Sequence, residues 1–196
     1  PEGVVSRELA EVFRRSESRM RNDVRDLRAW LGSSPITGLP HLPAGDASRL
    51  YTETGTPGYQ INDLLTDFDL FRRLRARGQA RGAEGLNDLL AALQLVTGPP
   101  FTLPSGHGWS WLYDDNRIHE TAATALADVA HLVVTRSMTD GDLETARTAA
   151  QIACSSIPFD EVCHLDLLKI AFTEGNTQAA TEMLDHDLLE RTNEYT

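Results

Sequence analysis

The sequence has little positive charge and almost none of it is lysine. Of 196 residues, 18 are basic and 29 acidic, giving a net charge of −11, and Lys169 is the only lysine. A uniformly basic nucleic-acid binder is therefore excluded. Cysteine is scarce too: Cys154 and Cys163 stand nine apart with no partner motif. That is read as neither a disulfide framework nor a zinc site, and both are expected to be small buried hydrophobes. Aromatics make up 7%. No apolar run approaches the roughly 18 residues of a membrane span, and no secretory signal is visible. The chain opens on Pro1-Glu2-Gly3 without an initiator Met, so it is expected to be a fragment. What is present is a globular composition, 41% hydrophobic and 24% charged, which argues against disorder.

The charge is divided unevenly. Residues 1–80 hold 12 arginines and 11 acidic residues; residues 81–196 hold 6 basic and 18 acidic ones. A shift of this kind predicts two modules with different partners, placed at 1–64 and 65–196.

In the first module Ser6 is a candidate N-cap for a short helix with Leu9, Val12 and Phe13 on one side. A second helix runs from about Ser16 to Leu31, with Met20, Val24, Leu27 and Leu31 as its apolar stripe and Gly32 closing it. Two helices joined by a tight polar turn match a helix-turn-helix. Arg21, Arg25 and Arg28 form a row on the opposite face, with Arg14, Arg15 and Arg19 near the N-terminus. Guanidinium groups bind phosphate and guanine bidentately, so such a row suits a major groove. Glu17, Asp23 and Asp26 share the helix, and they offer the alternative of a salt-bridged solvent face. A Gly/Pro/Ser-rich loop fills 33–47. Residues 49–53 then have strand composition, 54–58 form a turn, and Tyr59-Gln60-Ile61 return. Helix, helix and hairpin is the order of an incomplete winged helix, with the hairpin as wing and Arg49 placed to touch phosphate.

The second module is helical throughout. Asp67 is a candidate N-cap for a helix ending near Gly78, followed by a helix carrying Ala83, Leu86, Leu90 and Leu93. Later helices carry Ile118 to Val133, Leu143 to Ala153, Val162 to Phe172, and Ala179 onward through Leu188. Thr139-Asp140-Gly141-Asp142 and Thr173-Glu174-Gly175-Asn176 lie 34 residues apart, the tetratricopeptide period. Gly82 to Pro99 and Gly141 to Pro158 both span 17 residues. Five positions past the turn glycine, Ala146 and Ala180 supply a small side chain, whereas the first repeat has Asn87. Three tetratricopeptide-like repeats are expected, with an acidic concave surface for a basic partner.

Taken together, Leu27 to Gly32, Gly58 to Ile61, Asp67 to Phe71 and Leu93 to Phe101 resemble the Streptomyces antibiotic regulatory protein type of regulator. That family joins an OmpR-like winged helix to a bacterial transcriptional activator domain. The resemblance implies a transcription regulator that binds DNA through the winged helix and protein through the repeats. By position, Arg19, Arg21, Asn22, Arg25 and Arg28 would face the groove and Arg49 would serve the wing. The run Gly106 to Tyr113 is similar to activator domains of large, membrane-tethered multidomain actinobacterial proteins. It implies the alternative, an interaction module that touches no DNA. Either way a cytoplasmic location, no membrane contact by this fragment and a protein partner or homodimer mate are expected.

Catalytic and metal chemistry find no support in the spacing. His107, His119, His131 and His164 are read as structural or surface residues; Asp128 and His131 lie one turn apart without a third ligand. Asp114-Asp115-Asn116 is read as a helix cap, and Trp109, Trp111 and Tyr113 as packing beneath a loop. No enzyme, cofactor or metal is expected.

Overall fold

The computed structural model describes residues 3–101 and 117–183. They divide into two compact units, meeting in sequence between Thr66 and Asp67. Trp109, Trp111, Tyr113, His107, the Asp114–Asn116 cap and the stretch to Leu188 lie outside the described residues.

The first unit contains α1 (Ser6–Val12), α2 (Glu17–Leu31) and α3 (Arg49–Thr54). Ser16 caps α2 by accepting the Arg19 N–H at 3.3 Å, and Gly32 ends it at φ +67°. Three of the four residues of the expected apolar stripe are used: Met20 and Val24 are buried with Ala10 and Leu42 and Leu31 packs against them, while Leu27 faces solvent, as does Trp30 beside it. The core is small, closed by Leu9, Phe13, Leu31 and Tyr59.

The β-hairpin wing is not formed. Residues 49–54 are helical, bracketed by Ser48, whose hydroxyl accepts the Tyr51 N–H at 3.2 Å, and by Gly55 in the left-handed conformation at φ +72°. The physical reason is local. Tyr and Thr favour strands only weakly and by context, and a serine cap followed seven residues on by a glycine stop decides for a helical turn. Tyr59, expected to return along the wing, instead pairs with Val4 as an isolated antiparallel bridge, with N–O distances of 2.7 and 2.9 Å. Among the described residues there is a second bridge, Ser33 with Pro40, and no strand. Arg49 consequently sits on α3, paired with Glu53 at 2.6 Å.

The second unit contains α4 (Asp67–Ala80), α5 (Leu86–Leu93), α6 (Ile118–Thr139), α7 (Leu143–Ser156), α8 (Glu161–Thr173) and α9 (Thr177–Met183). They form three successive pairs, α4/α5, α6/α7 and α8/α9. The pairs turn at Gly82, Gly141 and Gly175, with φ of +56°, +80° and +78°. A side chain in that conformation costs about 1–2 kcal/mol, so glycine is the natural occupant. Each helix packs on its chain neighbours, and α6 also packs on α8. The core runs through all three pairs, from Phe71, Leu89 and Leu93 through Leu126, Val129 and Val133 to Ile170. Ala146, Ala149, Ala150 and Ala153 give α7 a small-residue face that is almost wholly buried. Full burial of each large aliphatic side chain contributes about 1.5–3 kcal/mol.

The close approach in the first pair falls elsewhere than expected. Asn87 is exposed. The contact is made instead by Gly85 at the end of a short 3-10 turn, Gly82–Gly85, against Gly78 of α4. A Cβ on Gly85 would overlap the Gly78 carbonyl.

The unit boundary also changes the charge division. Residues 1–66 hold eight arginines against nine acidic side chains, and four of the twelve N-terminal arginines belong to α4. Residues 67–196 still carry a net charge of −10.

Candidate functional site

The arginines of α2 are exposed but engaged. Arg19 and Arg15 share Asp23, at 3.3 and 3.1 Å. Arg21 meets Glu17 at 3.2 Å, and Arg25 meets Asp26 at 3.1 Å. Arg21 and Arg25 side chains are 63% and 67% exposed, so each pair contributes only about 0–1 kcal/mol and is open to exchange. Asn22 is exposed beside them. Arg28 differs. Its guanidinium donates from Nε to the Leu42 carbonyl at 2.7 Å and from a terminal nitrogen to the Pro43 carbonyl at 3.1 Å. That side chain ties the loop after α2 to the helix.

A cleft of about 670 Å³ opens in the first unit, lined in part by Arg7, Glu17, Arg21, Arg28, Asp46 and Tyr59. Of the six residues expected to contact DNA, Arg21 and Arg28 line it; Arg19, Asn22, Arg25 and Arg49 do not. Its walls carry both signs of charge, so an anion entering it would face Glu17 and Asp46 as well as the arginines.

In the second unit the charges link helices. Arg77 holds Asp88 in a two-pronged bond, at 2.9 and 2.6 Å, and Arg81 reaches the same carboxylate at 3.4 Å. The Arg77 hydrogen bond keeps the Asp88 carboxyl below its ordinary range. Arg75 on α4 meets Asp128 on α6 at 2.6 Å. Arg147 on α7 pairs with Glu174 just past α8. His131 is exposed and bonds through Nδ1 to Asp166 on α8, a structural role. Burial pushes the Asp166 carboxyl up from its ordinary value against the pull of His131. A smaller cleft of about 480 Å³ runs along α4 beside Arg72, Arg73 and Arg75. On α8, Val162, Leu165 and Phe172 stay exposed at spacings that place them on one face.

One grouping is invisible in the chain order. Cys154 of α7 meets Cys163 and His164 of α8, with one ligand atom from each lying within 4.8 Å of the others. The hydrogen bond from Cys154 draws the Cys163 thiol below its ordinary value. The spacing Cys-x8-Cys-His matches no common motif, and only the reversal between α7 and α8 brings the three together.

Comparison with protein-family models, with curated proteins and with solved structures found no match to this chain.

Proposed function

We propose that residues 67–196 form a tetratricopeptide-like module of a transcription regulator and bind a basic, amphipathic protein segment. The observation that carries this reading is the succession of three helix pairs, each turned by a positive-φ glycine and packed on the next. Such stacking leaves an extended surface for a partner. The net charge of −10 over these residues favours a basic partner, and electrostatic complementarity speeds its capture. Val162, Leu165 and Phe172 on α8 supply apolar contact beside that charge.

DNA binding by α2 is the second reading, supported by the exposure of Arg21 and Arg25. It works without a wing and with every arginine of α2 already engaged, so phosphate must displace Glu17, Asp23 or Asp26 as acceptor.

The two readings separate by titrating the chain against a labelled basic amphipathic peptide and against random-sequence duplex, each over a range of salt. The first predicts peptide binding that weakens with salt and is unchanged in Arg21→Ala/Arg25→Ala, and no peptide binding at low salt would overturn it. The second predicts duplex binding that falls steeply with salt and is lost in that variant.

A further inference from the structure

Cys154, Cys163 and His164 meet where the second helix pair gives way to the third. Cys154 lies near the end of α7, and Cys163 and His164 lie in the first turns of α8. Cys163 is buried, while Cys154 and His164 are half-buried. The group is thus held by the core on one side and reached from solvent on the other.

We propose that these three side chains are ligands for a thiophilic divalent cation of the zinc class, which ties α7 to α8 with its fourth position left to water or an outside donor. Two thiolates and an imidazole are a donor set that zinc accepts, and soft sulfur ligands disfavour magnesium and calcium. Zinc bonds of about 2.3 Å to sulfur and 2.0 Å to nitrogen place tetrahedral ligand atoms about 3.5–3.8 Å apart. The three ligand atoms already lie within 4.8 Å of one another. A closure of about 1.3 Å at most therefore suffices, less than a side-chain rotamer change supplies.

The surroundings suit the chemistry. The Cys163 thiol donates to the Asp160 carbonyl at 3.0 Å, a bond that is given up when the thiol loses its proton to bind a cation. Cys163 also stands in the first turn of α8, where the helix dipole favours a thiolate. The His164 Nε2–H donates to the Pro158 carbonyl at 2.9 Å, the orienting bond typical of a ligating imidazole. That tautomer leaves the lone pair on Nδ1. On binding, each cysteine releases one proton to solvent, two sulfur–metal bonds and one nitrogen–metal bond form, and no electron is transferred.

The test uses the full chain, reduced and stripped with chelator, titrated with Co²⁺ as an optical probe and back-titrated with Zn²⁺. One equivalent of cobalt should produce tetrahedral ligand-field bands with thiolate charge transfer, and zinc should displace it. Zinc should also slow alkylation of the two thiols at least tenfold. Because Cys163 is buried, Cys154→Ser and His164→Ala carry the mutational arm. Each, with circular dichroism unchanged, should lose at least tenfold in affinity, consistent with the loss of one ligand. A reduced chain that gives no thiolate–cobalt band and no protection from alkylation would overturn the site. So would bands that persist unchanged in both variants, or a Cys154–Cys163 disulfide that forms in air in a chain whose reduced form takes no metal.

Discussion

His131 Nδ1 lies 3.0 Å from both carboxylate oxygens of Asp166, joining α6 to α8 across 35 residues of chain. These are the first helices of consecutive pairs, so the bond fixes how one pair stacks on the next. Asp166 is 5% exposed, and its carboxylate depends on this donor. His131→Ala should lower stability by about 1–3 kcal/mol, the cost of leaving a buried acceptor unmet. Asp166→Asn should cost less, because the amide oxygen still accepts. Urea denaturation of the three proteins checks both statements.

The same carboxyl sets a pH dependence. Burial raises the Asp166 pKa in the folded state, so its contribution to stability is full below the ordinary carboxylate pKa and is lost as pH rises through the elevated value. Asp166→Asn cannot ionise. The stability of the native chain relative to that variant should therefore fall as pH rises just beyond the ordinary carboxylate range, and then level off. Paired urea curves across that range measure it; a constant difference would show that the folded state does not perturb this group.

Asp88 behaves in the opposite sense. Arg77 holds its pKa down, so its contribution is present above the ordinary carboxylate pKa and is lost as pH falls through the depressed value. Arg77→Leu should lower the melting temperature at neutral pH and leave it nearly unchanged in strong acid, where Asp88 is protonated in both proteins. Thermal melts at the two pH values suffice.

Gly85 and Gly78 let the backbones of the first helix pair touch. Gly85→Ala should force them apart and cost about 1–3 kcal/mol or more. Gly98→Ala is the control, since a Cβ there meets nothing within 4 Å, and it should stay within about 0.5 kcal/mol of the native chain. Chemical denaturation separates the two.

Arg28 and Arg25 lie one turn apart on α2 yet do different things. Arg28→Ala should destabilise the first unit by about 1–2 kcal/mol, because the Leu42 and Pro43 carbonyls lose their donor. Arg25→Ala should change stability by less than about 0.5 kcal/mol, as expected of an exposed pair. Hydrogen exchange over residues 41–44 should rise in the first variant alone.

The parts of the fold that were legible are those governed by one local rule. Gly82, Gly141 and Gly175 mark turns because each adopts a backbone conformation that side chains resist. Met20 and Val24 announce a buried face through helical spacing. Residues 49–53 have strand composition yet form α3, because Tyr51 and Thr52 suit either structure and the caps at Ser48 and Gly55 outweigh their propensity. The departure of the first repeat at Asn87 is legible, but its replacement is not, since the 3-10 turn at Gly82–Gly85 makes the close contact at Gly85. The Arg28–loop bond, the His131–Asp166 bond and the Cys154–Cys163–His164 group all join residues whose proximity depends on tertiary packing. Sequence spacing does not encode them, and so the candidate site was legible only as exposed arginines on α2 and acidic excess in the helix pairs.

Whether residues 67–196 hold a basic segment is measured most directly by selecting peptides from a random library against the immobilised chain. A chain carrying Glu144→Lys and Glu161→Lys, both exposed, is selected in parallel. The native chain should enrich peptides of net positive charge with apolar residues at helical spacing, and the charge-reversed chain should lose them. Enrichment of neutral or acidic peptides, or enrichment indifferent to the reversal, would contradict the acidic binding surface.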